Sequence, residues 1–192
     1  IKAHKPEKNF PMRMIASTVG IASYELASYL AEFIQPTMNQ DGTRIENTSS
    51  FVTQAKYWDI SPTEVQVSFD VQNLYPSVPI KQSIRVMINT LSGDVDFKNI
   101  SKLTLLDVER ALELCLENNY FMWEQEIRQT QDSGPIGLSL MVVMAEAYLQ
   151  HLEQKALEQA FQQGVNVKSF RRYVDDSHAR FPCMKEAEEF QN

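Results

Sequence analysis

Three carboxylates are placed where they could do chemistry. Asp70 ends a short run in which Val65, Val67 and Phe69 alternate with polar residues, so an acid stands at the end of a β-strand. Asp175 and Asp176 follow a second extended run, 165–174, and the segment 177–181 can return as another strand. Aspartate is at home in turns, so the adjacent pair reads as a solvated hairpin tip. It also reads as a Mg²⁺ site, because hard cations take oxygen ligands and often keep only one or two protein carboxylates. If the two strands are neighbours in one sheet, the three acids converge and could hold two Mg²⁺ ions for phosphoryl transfer. One ion would activate a 3′-hydroxyl, and the other would neutralise a triphosphate and the pyrophosphate that leaves. The competing reading is two unrelated strand-end turns, and spacing leaves both open.

The elements that must position these acids follow from periodicity. Residues 1–15 are basic and carry Pro6 and Pro11, which points to strand or loop. Helical spacing runs over 21–34 and stops at Pro36. After a polar loop at 39–50, Ser49 or Ser50 caps a short helix reaching about Trp58. Ser61-Pro62 breaks the chain before the strand that leads to Asp70, and Pro76 and Pro79 close that unit. Helices are predicted over 81–91 and 104–118, the latter capped by Thr104 with Leu106, Val108, Leu112, Cys115 and Leu116 on or near one face. Residues 120–131 alternate as a strand or hairpin. A loop at 134–137 launches a long helix over 138–162 that Gly164 ends. The fold class is α+β, with a small antiparallel sheet and helices on one of its faces.

With 192 residues, 43% of them hydrophobic, the chain can bury a real core. The formal net charge of −7 argues against general nucleic-acid affinity, although Lys2, Lys5, Lys8 and Arg13 make the N-terminus locally basic. Cys115 and Cys183 match no zinc or redox spacing and suggest a reducing, intracellular compartment. No run is long enough for a membrane span, so no membrane partner is expected. The chain starts at Ile1 and stops at Asn192 within a helical pattern, and reads as a fragment of something longer.

Four ordered segments carry a family resemblance. Phe69-Asp70-Val71-Gln72-Asn73-Leu74-Tyr75-Pro76 resembles motif A of reverse transcriptases, and Tyr173-Val174-Asp175-Asp176 resembles motif C. Gly134-Pro135-Ile136-Gly137, entering a helix through Ala145-Glu146-Ala147-Tyr148 to Glu153, resembles motif B. Lys2-Ala3-His4-Lys5-Pro6 with Pro11-Met12-Arg13 resembles the fingers segment. The flavour is similar to Penelope-like retroelement enzymes. Motif B departs from the family: the Ser-Pro pairs are missing from 138–141.

The resemblance implies a right-hand polymerase with residues 1–60 in the fingers and 61–192 in a palm truncated after motif C, with 81–130 a further candidate for the fingers. It implies RNA-directed DNA polymerase activity: two-metal nucleotidyl transfer from a deoxynucleoside triphosphate to a DNA primer on an RNA template. Asp70, Asp175 and Asp176 would bind Mg²⁺ (or Mn²⁺) with the Val71 carbonyl, Asp176 being the more dispensable ligand. Tyr75 falls at the steric-gate position that excludes a 2′-hydroxyl. Arg13, with Lys5 or Lys2, would meet the triphosphate. Backbone amides near Gln72 and Asn73 would approach it, and Gln131 or Gln129 would precede the motif B turn. Gly134, Pro135 and Gly137 would lie against template and nucleotide. Without a thumb, the fragment is expected to be weak or inactive and to offer an open sheet edge for self-association. The alternative is a domesticated or decayed, non-catalytic derivative that binds RNA or a protein partner.

Trp58 and Trp123 read as packing aromatics, His4, His151 and His178 as scattered, and Arg171 and Arg172 as a solvated strand face.

Overall fold

A computed structural model describes residues 20–38, 42–94, 97, 102–117, 119–129, 134 and 137–191. The basic segment 1–15 lies outside them. In chain order the elements are α1 (Tyr24–Ile34), a 3₁₀ turn (Gln35–Thr37), α2 (Thr48–Ala55), β1 (Val65–Asp70), α3 (Leu74–Ser77), α4 (Ile80–Gly93) and α5 (Leu105–Leu116). Then come β2 (Tyr120–Trp123), β3 (Glu126–Gln129), α6 (Ser139–Gln162), β4 (Ser169–Tyr173), β5 (Asp176–Phe181) and α7 (Met184–Gln191). The chain divides into two compact units, residues 1–37 with 75–145 and residues 38–74 with 146–192.

The first unit is mostly helical. Its helices each bury one stripe: Ala27, Leu30, Ala31 and Ile34 in α1, Ile84, Met87 and Leu91 in α4, and Val108, Leu112, Cys115 and Leu116 in α5. Leu106 does not join the α5 stripe and is 52% exposed. Two residues before Val108, it stands on the opposite side of a 3.6-residue turn. Thr104 caps α5 through a reciprocal pair: its hydroxyl accepts from the Asp107 N–H, and the Asp107 carboxylate accepts from the Thr104 N–H. Strands β2 and β3 form a separate antiparallel hairpin.

The second unit carries the larger sheet, in the order β1-β5-β4 with every pair antiparallel. One face presents Val67, Phe69, Phe170, Ala179 and Phe181, which pack with Ala160, Val165, Ala187 and Phe190. The Phe190 ring lies 5.3 Å from Phe181 and 6.1 Å from both Phe69 and Phe170. The other face is covered in part, around His178 and Arg171, which corrects the expectation of helices on one face alone. Trp58 stacks on His178 at 5.4 Å, Phe51 of α2 meets the same ring edge-on at 5.6 Å, and Gln54 accepts from Arg171 Nε at 2.9 Å. The Arg180 guanidinium lies 4.6 Å from the centre of the Trp58 ring. Long amphipathic side chains on β5 thus give α2 a surface to pack on. Asn47, rather than Ser49 or Ser50, caps α2 by accepting from the Ser50 N–H, and the helix ends at Ala55.

Candidate active site

The acids are set by strand pairing. Asp70 closes β1 and stands directly opposite Asp176, the first residue of β5. With a side-chain period of two, Asp70 shares its face with the exposed Gln66 and Ser68, away from Phe69 and the core. Directly opposed residues have Cβ atoms about 4.5–5.5 Å apart, and like charges so placed repel. Asp175 is the second residue of the two-residue loop joining β4 to β5 and is half-buried, while Asp70 and Asp176 are exposed. Its carbonyl accepts from the Val71 N–H at 3.0 Å, which ties the turn to the residue after Asp70. The acid in register with Asp70 is therefore Asp176, with Asp175 one step back in the turn.

The loop is built against local preference. Val174 has φ +56°, a left-handed conformation that a β-branched residue adopts only at a cost of about 1–3 kcal/mol. Something must hold it there. Arg172 Nη1 donates to the Val174 carbonyl at 3.0 Å. The same guanidinium makes a two-pronged pair with Glu146, Nη1 to Oε2 at 2.9 Å and Nη2 to Oε1 at 2.8 Å, and its Nε donates to Glu153. Thr43 donates its hydroxyl to Glu153, and the Arg172 backbone is bonded at both ends to the 43–45 segment. Burial alone would push the Glu146 carboxyl up, but the hydrogen bonds and charge of Arg172 outweigh it and hold the group below its usual range.

Arg172 is only 1% exposed, which overturns the solvated-face reading for this residue. It shares strand parity with Phe170, which points into the core, while Arg171 has the opposite parity and reaches Gln54. The signal was present in the sequence: an arginine two residues from an inward Phe, and acids at 146 and 153, seven apart on one helix face. A second pair was missed, in which Glu64 receives Arg180 and Lys168. The hydrogen bond from Arg180, then that from Lys168, holds its carboxyl down at about 2.

The remaining expected site residues are spread over the chain. Gln72 and Asn73 follow β1 and are exposed, Asn73 at φ +55°. Tyr75 is half-buried in α3 and belongs to the first unit, as do Gly134 and Gly137. Gly134 is buried, and a Cβ there would fall 1.8 Å from the Met141 sulfur, so side-chain packing accounts for this glycine. Gly137 sits at φ +114°, a conformation open to glycine alone. Lys2, Lys5, Arg13, Gln131 and Pro135 lie outside the described residues.

Asp70 and Asp176 are exposed and offer carboxylate oxygens, the hard donors that Mg²⁺ or Mn²⁺ take. Among the described residues no group of three or more His, Cys, Asp or Glu side chains is arranged to hold a metal. The fit is therefore to an ion that keeps one or two carboxylates and completes its shell with water and substrate phosphate, and a closed protein cage is not formed.

Within the described residues no helix is long and apolar enough to cross a membrane. No protein-family model matches the chain, and no curated protein matches it in sequence. Its fold does match solved structures. An apo telomerase from Candida tropicalis, truncated from its C-terminal domain, superposes with a TM-score of 0.62 at 10% identity, over 87% of this chain and 35% of that one. Telomerase from the same organism in complex with a TWJ fragment of telomeric RNA gives 0.63 at 10% identity, over 86% and 29%. Candida albicans telomerase in complex with such a fragment gives 0.56 at 13% identity, over 91% and 30%. The chain thus spans about a third of the length of these telomerases. At such identities the likeness is one of fold: helices and a small antiparallel sheet arranged as in part of these telomerases.

Proposed function

We propose that this chain is part of an RNA-directed DNA polymerase that transfers a deoxynucleotide to a primer 3′-hydroxyl on an RNA template. The observation that carries the reading is the register of Asp70 opposite Asp176 beside a turn pinned by the Val71–Asp175 hydrogen bond. It brings the motif A and motif C segments together within a reverse-transcriptase-like fold. In this reading residues 38–74 and 146–192 are the core of a palm, and the fingers are drawn from the other unit. The retroelement and Penelope-like assignments rest on the motif sequences alone.

Asp70 and Asp176 present carboxylate oxygens from adjacent strands, and Asp175 sits beside them in the turn that the Val71 N–H holds. Bound Mg²⁺ would supply Lewis-acid activation of the 3′-hydroxyl and charge neutralisation of the triphosphate. Asp70 and Asp176 would hold the ion, and its charge would relieve the repulsion between their opposed carboxylates. Tyr75, close after Asp70 in sequence, is assigned as the gate against ribonucleotides, and Arg13 as a triphosphate contact.

The test is single-nucleotide incorporation on an RNA-templated DNA primer with Mg²⁺ or Mn²⁺. Slow incorporation is expected, abolished by Asp70→Asn and relaxed toward ribonucleotides by Tyr75→Ala. RNA binding without incorporation, indifferent to Asp70→Asn, would instead support a non-catalytic derivative, a reading favoured by the altered motif B and the net charge of −7.

A further inference from the structure

We propose that Arg172 is the positioning residue of the acid-bearing turn, with Glu146 and Glu153 as its anchors. The proposal rests on the metal-site reading above and adds the device that holds the site in shape.

The turn needs such a device. Val174 is β-branched, lies at φ +56° and is exposed, so its own packing does little to compel that conformation. Two consecutive peptide planes must be fixed to aim Asp175 and Asp176. The plane that contains the Val174 carbonyl is held by Arg172 Nη1 at 3.0 Å, and the plane that contains the Asp175 carbonyl is held by the Val71 N–H at 3.0 Å. The second of these joins motif C to motif A, so a turn that rotates at Val174 also loses its register with Asp70. Arg172 cannot drift. Its side chain is locked on Glu146 and Glu153 of α6, and its backbone N–H and carbonyl are both engaged by the 43–45 segment, at 2.8 Å to the Thr43 carbonyl and 2.7 Å from the Ile45 N–H.

The chemistry calls for arginine. One planar fork serves Glu153 through Nε, Glu146 through both terminal nitrogens, and the Val174 carbonyl through Nη1. A lysine ammonium is a single point charge with three donors and cannot reach all three groups at once. Arg172→Lys therefore keeps the buried charge while releasing at least one contact, and the Val174 carbonyl is the partner with no charge to retain it.

The experiment compares Arg172→Lys with Val165→Ala, a core substitution elsewhere in the same unit, at matched urea stability. Amide exchange of Val71 reports the turn directly. Relative to the Val165→Ala control, it is expected to rise at least about tenfold in Arg172→Lys, and Mn²⁺ affinity read by electron paramagnetic resonance is expected to fall by about 10–100-fold. Equal Val71 exchange in the two variants would overturn the proposal. If Arg172→Lys does not fold, Glu146→Gln, which keeps the size and one acceptor of its anchor, is read in the same way. A parent chain whose Mn²⁺ binding is absent, or unchanged in Asp175→Ala, would sink the metal-site reading, and Val71 exchange would still decide the brace.

Discussion

Two hairpins among the described residues have loops of the same length and opposite designs. Between β2 and β3, Glu124 and Gln125 both take positive φ, +50° and +65°, the pattern of a type I′ turn that matches strand twist. That loop is exposed, and the nearby ion pair of Arg128 with Glu126 is a surface one at 3.1 Å. Between β4 and β5 only the first loop residue, Val174, is left-handed, and the loop is braced by a buried arginine and by the backbone N–H of Val71, just past β1. The first hairpin uses its turn to set register. The second uses buried charge to impose a turn that its sequence resists, and two carboxylates sit on it. Strain of this kind marks places where geometry serves chemistry.

The largest effect that should separate them comes from the arginines. Arg172→Met takes the buried guanidinium from Glu146, which keeps Arg44 at 3.9 Å, and from Glu153, which keeps Thr43, and is expected to cost about 3–5 kcal/mol in urea unfolding, whereas Arg128→Ala on the first hairpin should stay within about 0.5 kcal/mol. Comparable losses from the two would erase the contrast. Next come the loops. Val174→Gly relieves the left-handed valine and should stabilise by about 1 kcal/mol, and Asn-Gly at 124–125 should do about as much. Only the first should weaken Mn²⁺ binding, so a stability gain there with unaltered Mn²⁺ affinity would contradict the strain argument.

A smaller effect is expected from the acids. Without divalent ions, Asp70→Asn should stabilise by about 0.5 kcal/mol by removing the repulsion across from Asp176, while Glu126→Gln, opposite Trp123 in β3, should change little. Destabilisation by Asp70→Asn under chelation would speak against the opposed-charge account. Last is the acid limb of stability. The Glu64 carboxyl is held at about 2 by the hydrogen bond from Arg180 and then that from Lys168, below its ordinary 4.5. Its contribution is fully present above pH 4.5 and is lost as pH falls toward 2. Glu64→Gln should flatten that limb, and an unchanged acid profile would remove this pair from the account.

Much of this was legible from residue order. Alternation at Val65, Val67 and Phe69 placed Asp70 at a strand end, and the run into Asp175-Asp176 placed the turn. The long helix was readable from its apolar start and Gly164. Long-range choices were not. Nothing local tells that Asp70 pairs with Asp176, because register is decided by the whole buried face. Arg172 read as solvated because arginines usually are, and only its parity with Phe170 and the two glutamates on α6 hinted at burial. The second covered face depended on Phe51 and Trp58 meeting His178, a contact more than a hundred residues apart in sequence. The packing of Met141 where a Cβ at Gly134 would stand had no local signal either.

The central claim is that the Asp70 and Asp175-Asp176 segments together form a metal-dependent nucleotide site. Titration of a labelled deoxynucleoside triphosphate in Mn²⁺, comparing the parent chain with Asp175→Ala, tests it most directly. Binding that requires the ion and is lost in the variant is the expected result. Metal-dependent binding that survives Asp175→Ala intact would contradict it.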